Sequence, residues 1–242
     1  SASAKFMSER APGAAFAVVL GAITLIGPLT IHLFLPAMPE VKREFATTDA
    51  LVQLSFSIVL VTIAVVTPIY GSLSDRYGRR PVLLGGFALF LISATAGTLP
   101  VLIFGRLVQA VGAACGTTLA RAIARDTYGP EALVKAIAYL TMAYTLGPML
   151  SPPLGGLLID HFGWRSEFWF AMSAGILIVA AAFFAVHETH GPEKRSTSTS
   201  FFGGYAILMR DARFLAFVSQ SGFMSVSFFA IAAASPFLMK DV

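Results

Sequence analysis

Gly71-Ser-Leu-Ser-Asp-Arg-Tyr-Gly-Arg-Arg-Pro81 is an island of charge, glycine and turn chemistry between two apolar runs, residues 52–70 and 81–98, that contain no charged side chain. A connection this short returns the chain to the side it left, so the two runs form an antiparallel hairpin. Three arginines against one aspartate mark the side on which it turns. The rest of the chain is oriented from this point.

Of the 242 residues, 56% are apolar and only 12% are charged, and the mean hydropathy is +0.76. That charged share is about half that of an ordinary soluble chain. Seven apolar runs, at 14–38, 52–70, 81–98, 101–124, 136–159, 168–186 and 214–238, approach the ~20 residues a spanning helix needs. Strands facing lipid could not satisfy their own backbone, so the runs are read as helices. The expected fold is an all-α, polytopic membrane protein. A six-helix bundle covers 14–186, a polar linker 187–213, and a seventh transmembrane helix lies within 214–242. Residues 1–13 form a tail, of which 1–6, before Met7, read as an expression remnant. The linker carries His187-Glu-Thr-His190 and then Ser196-Thr-Ser-Thr-Ser200, a composition without core-forming residues.

The net charge of +4 comes from Lys and Arg in short connections. Twelve of them fall on the side of the Gly71–Pro81 turn and four on the other. By the positive-inside rule the turn and the N-terminus are cytoplasmic. The pattern is not a phosphate-binding stripe, so no nucleic-acid partner is expected. Cys115 stands alone and excludes an intrachain disulfide. There is no HExxH, no GxSxG and no metal-ligand cluster, so neither an enzyme nor a cofactor is expected.

Three further stretches carry polar or helix-bending residues inside the runs. Arg106-x-x-Gln109-x-x-Gly112 opens the fourth, and an arginine there is costly in lipid unless it faces the bundle interior or a cavity. Gly147-Pro148-Met-Leu-Ser-Pro152-Pro153-Leu-Gly155-Gly156 kinks the fifth and permits close packing. The first ends Gly27-Pro28-Leu-Thr-Ile-His32-Leu-Phe-Leu-Pro36-Ala-Met-Pro39. In the opening stretch, Asp75 is placed to favour the positive N-terminal end of the third helix, with Pro81 in its first turn.

The spacing Gly71-x-x-x-Asp75-Arg76-x-Gly78-Arg79-Arg80, between the second and third helices, resembles the loop signature of the major facilitator superfamily. Arg106-x-x-Gln109-x-x-Gly112 is similar to that family's helix-four pattern, and the Gly147–Gly156 stretch to the motif of its proton-coupled exporters. The ending of the first helix resembles drug exporters of the bicyclomycin/chloramphenicol-resistance type. The resemblance implies proton-coupled efflux of amphipathic drugs or small metabolites across a bacterial inner membrane, by rocking of two six-helix halves. It implies a gating loop of Gly71, Asp75, Arg76, Gly78, Arg79 and Arg80 braced against the second half. A substrate cavity is expected around Arg106, Gln109, Gln53 and Tyr144, with Trp164 and Trp169 anchored at the interface. His32 departs from the aspartate expected in relatives. No aspartate or glutamate lies well inside any run, so a buried carboxylate carrier is not expected, and His32, loading beside Arg106, is the candidate proton-coupling group.

The resemblance covers the first half of the family plan plus one helix. The expected partners are therefore a small-molecule substrate, protons, the lipid bilayer, and a missing C-terminal half or second chain. The chain is expected to be a fragment, a truncated product or a half-unit. A competing reading is a membrane module that binds a ligand or partner without transporting it.

Overall fold

The computed structural model describes residues 13–92, 97–189, 193 and 207–238. The N-terminal remnant, residues 93–96 of the third apolar run and the Ser196–Ser200 stretch lie outside the described residues. Among the described residues the apolar runs form seven helices: α1 (Ala14–Glu44), α2 (Asp49–Tyr77), α3 (Arg79–Ile92), α4 (Leu99–Thr127), α5 (Pro130–Phe162), α6 (Arg165–Ala185) and α7 (Ala212–Leu238). No strand occurs among the described residues. Helices α1, α2, α4, α5 and α6 contain stretches long and apolar enough to cross a membrane, while α3 is described for 14 residues.

Local chemistry sets the helix ends. The Thr48 hydroxyl accepts from Leu51 N–H at 3.4 Å and starts α2. Pro100 and Pro130 stand in the first turns of α4 and α5, where a missing N–H costs nothing. Gly78 separates α2 from α3 with φ 103°, a backbone conformation that favours glycine. The Gly71–Pro81 stretch is therefore a sharper feature than a loop. Residues 71–77 are the last two turns of α2, and Gly78 alone breaks the helix. The break succeeds without a longer connection because polar contacts hold both ends, as described below.

Helices α1–α6 lie in one compact unit and α7 in another, divided between Thr197 and Ser198. In the first unit α1 packs along α5, and α4 packs against α2, α3 and α1. Two contacts show how close α1 and α5 run. A Cβ on Gly147 would lie 2.6 Å from Pro28 Cβ, and one on Gly155 would lie 2.7 Å from Pro36 Cγ. Both pairs are eight residues apart, so the prolines of one helix seat against the glycines of the other in a parallel register. Between them Ser151 Oγ donates to the Leu29 carbonyl at 2.9 Å. Small residues allow this approach where no hydrophobic drive between lipid-solvated helices exists.

The bundle has two ends. At one, Arg79 of α3 meets the ends of α2 and α4. At the other, Trp164 at the start of α6 meets the end of α1. An apolar core of Leu20, Ile23, Leu83, Phe87, Leu119 and Ile123 fills the Arg79 half, and Phe34, Val41, Leu102, Trp164 and Phe168 fill the other. In the second unit, Asp211 starts α7, its Oδ1 accepting from Arg213 N–H at 2.9 Å.

Candidate functional site

Arg106 stands two turns into α4 and is 1% exposed. It faces the bundle interior rather than reaching back to the helix end. Its Nη1 donates to the Gln109 Oε1 at 2.9 Å and to the Thr30 carbonyl of α1 at 3.3 Å. The guanidinium lies 4.6 Å from the ring centre of Phe34 and 6.0 Å from that of Phe168, within cation–π range. Two of its nitrogens, Nε and Nη2, have no hydrogen-bond partner. Unpaired buried donors of a charged group cost about 1–3 kcal/mol each or more, so this guanidinium is poised for an anion.

A carboxyl group is present in the fold. Glu167, in the first turn of α6, is 3% exposed, and its Oε1 also lacks a partner. Glu167, Arg106, Gln109, Thr30, Leu33 and Phe168 line one cavity of about 10 Å³. That is the size at which a single water molecule fits. The helix-five motif contributes the space: a Cβ on Gly155 would lie 3.2 Å from Glu167 Oε1. No carboxylate stands deep within a run, but the expectation that none is buried in the bundle is corrected: Glu167 lies one residue before the sixth apolar run, in the first turn of α6, and is buried there. A usable signal existed in Trp164-Arg-Ser-Glu167, where Glu167 follows an aromatic residue at i, i+3 spacing on one helix face.

His32 is 4% exposed but does not line this cavity. The helical register is the reason. Thr30 and Phe34 form the α1 face toward Arg106, whereas His32 falls midway between Pro28 and Pro36 on the stripe that meets α5. Of the expected cavity residues, Arg106 and Gln109 come together; Gln53 is half-buried on α2, Tyr144 is exposed on α5, and neither lines the cavity. Pro148 is half-buried, Pro152 exposed, and Gly156 has open space around it.

Trp164 packs inside the end of the bundle, being 2% exposed, whereas Trp169 is 50% exposed. The Trp164 indole N–H donates to Glu44 Oε2, and Arg165 grips the same carboxylate with N–O distances of 2.7 and 3.1 Å. Hydrogen bonds from Arg165 first, and from Trp164 second, hold the Glu44 carboxyl below its ordinary range.

At the opposite end Arg79 is 1% exposed. Its Nε donates to Asp126 of α4 at 3.0 Å, and its Nη1 reaches Asp75 at 2.7 Å and the Ser74 hydroxyl, both on α2. The start of α3 is capped by Glu188, which accepts from Arg79 N–H at 2.9 Å and Arg80 N–H at 3.3 Å. Asp75, the residue expected there, pairs with the Arg79 side chain instead, because it belongs to α2 and points along it. Arg80 extends to the Phe183 carbonyl at 2.9 Å and lies 4.9 Å from the ring. Gly71 is half-buried, Gly78 is buried and Arg76 is exposed. The turn is therefore fastened within its own bundle through Arg79.

Comparison with known proteins extends the geometry. A profile of the Major Facilitator Superfamily matches residues 16–242. An MFS-type transporter of Bacillus subtilis (strain 168), YdgK, is 32% identical over 239 residues, covering 94% of this chain and 59% of that protein. The multidrug resistance protein MdtL of Escherichia coli O127:H6 is 32% identical over 187 residues, covering 76% of this chain and 48% of MdtL. Among solved structures, the human organic anion transporter MFSD10 (TETRAN) aligns with a TM-score of 0.66 at 22% identity, over 82% of this chain and 55% of that one. The inward-open xylose transporter XylE from E. coli aligns with a TM-score of 0.64 at 15% identity, over 84% and 54%. The chain spans roughly half the length of the proteins it matches.

Proposed function

The chain belongs to the Major Facilitator Superfamily, and from that membership we propose that it serves proton-coupled export of amphipathic small molecules. The observation that carries the reading is the buried Arg106–Gln109–Glu167 site inside a bundle of membrane-crossing helices. Ionisable groups at that depth are costly and serve ion or substrate pathways. In this reading α1–α6 form one of the two rocking halves of the family fold. The Arg79 end faces the cytoplasm of a bacterial inner membrane, because it carries the excess of Lys and Arg. The similarity to MdtL favours drugs over nutrients as cargo.

The seam residue His32 is a second titratable group for coupling. If it serves, His32→Ala removes the pH dependence of substrate binding; unchanged pH dependence assigns coupling elsewhere. The reading as a whole is tested with everted vesicles carrying the full-length protein. An imposed pH gradient should drive accumulation of a fluorescent amphipathic cation such as ethidium or of other amphipathic drugs. Absence of gradient-driven flux for a broad panel would leave a non-transporting membrane module.

A further inference from the structure

The cavity between α1, α4 and α6 joins two orphans: a carboxylate oxygen of Glu167 and two nitrogens of Arg106. No other described side chain satisfies either, and the space between them is that of one water. We propose that Glu167 is the proton-binding group of this protein, exchanging its proton against Arg106. The inference rests on the proton-coupled reading above and names the atom that executes it. In the loaded state the acid O–H is intact and Arg106 is free to draw on its remaining contacts, Gln109 and Thr30. On release the O–H bond breaks, its electron pair stays on the carboxylate, and the proton leaves to water. The carboxylate then takes up the vacant Arg106 nitrogens.

The surroundings fit such an exchange. Arg106 faces Glu167 from α4, and Glu40 acts on it from α1. From α5 the neighbour is Gly155, whose missing side chain leaves room for the carboxylate to turn. Other charged groups of α5, Asp160 and His161, are exposed at its end, and those of α3, Arg79 and Arg80, lie at the far end of the bundle. Thr30 and Leu33 of α1 line the cavity, so proton release that draws Arg106 toward Glu167 also strains its bond to the Thr30 carbonyl. Gly155, which meets Leu33, Pro36 and Glu167 Oε1, places the proton in contact with the α1–α5 seam. The site lies within about two turns of the Trp164 end, so the proton enters from that side.

Infrared difference spectra of the purified full-length protein in lipid, recorded between acid and alkaline pH without substrate, test the assignment. A protonated-carboxyl C=O band should titrate in the wild type, vanish in Glu167→Gln, and persist in Glu40→Gln and His32→Ala. Glu167→Asp keeps a carboxyl and should retain the band with a shifted midpoint, which covers the case in which the glutamine variant does not fold. A titrating band unchanged in Glu167→Gln, or an aspartate variant identical to wild type, would overturn the proposal. Because no transport is required, a titrating Glu167 in a protein without flux would fault the export reading and leave the proton site intact.

Discussion

At the residue scale the site turns on one side chain that the sequence concealed and one whose depth it signalled. Arg106 was legible, since a lone arginine inside an apolar run has few tolerable places to go. Glu167 was not, because a carboxylate beside Trp164 and Arg165 looks like a helix end, and its burial depends on how α6 enters the bundle. His32 was legible as titratable but not as to face, since one residue along a helix turns the side chain by about 100°. The glycines offer a clean test at this scale. Gly155→Val should destabilise the bundle by about 1–3 kcal/mol, because its Cβ meets Pro36 and the Leu33 carbonyl, a backbone atom 2.8 Å away. Gly156→Val, with open space around it, should leave the thermal midpoint in detergent unchanged. Equal midpoints for the two variants would show that the α1–α5 seam is not as close as described.

At the scale of elements, two fastenings hold the bundle at its ends. Arg79 ties α3 to α2 and α4, and its removal should cost about 3 kcal/mol. That is the low end for breaking a buried ion pair, because Asp126 keeps a further interaction. Arg79→Lys should recover little, since an ammonium cannot span Asp126, Asp75 and Ser74 together. Comparing the thermal midpoints of Arg79→Ala and Arg79→Lys checks both statements. At the other end Glu44 binds Trp164 and Arg165. Its folded carboxyl titrates below its ordinary value of 4.5, so the clamp contributes fully above that value and is lost as pH falls through the lower, folded one. Denaturation profiles should therefore show a Glu44-dependent loss of stability only in acid, and Glu44→Gln should abolish that part of the curve. The sequence announced the α2–α3 turn through glycine and charge. What it could not show was that the turn is a single residue, or that the cap of α3 comes from Glu188, 109 positions from Arg79.

At the scale of the whole molecule, the all-helical bundle was readable almost entirely from hydropathy and loop charge. Lipid leaves the backbone no other arrangement, and charge asymmetry orients what hydropathy finds. The proposed cytoplasmic placement of its Arg79 end is open to direct test. Cys115 is fully buried, so the native chain presents a quiet background for thiol labelling. A membrane-impermeant maleimide added to intact cells should label Asp160→Cys, at the exposed Trp164 end, and spare Glu131→Cys, at the Arg79 end. The reverse labelling would invert the topology and with it the direction of proton entry.

The central claim is that a proton bound at Glu167 drives export. The most direct measurement is the collapse of a respiration-generated pH gradient in everted vesicles on adding each of a panel of amphipathic drugs, ethidium among them. The account predicts that at least one compound dissipates the gradient with the wild-type protein and that none does so with Glu167→Gln at equal expression. Dissipation by the glutamine variant equal to that of the wild type, or none with the wild type for any compound, would contradict it.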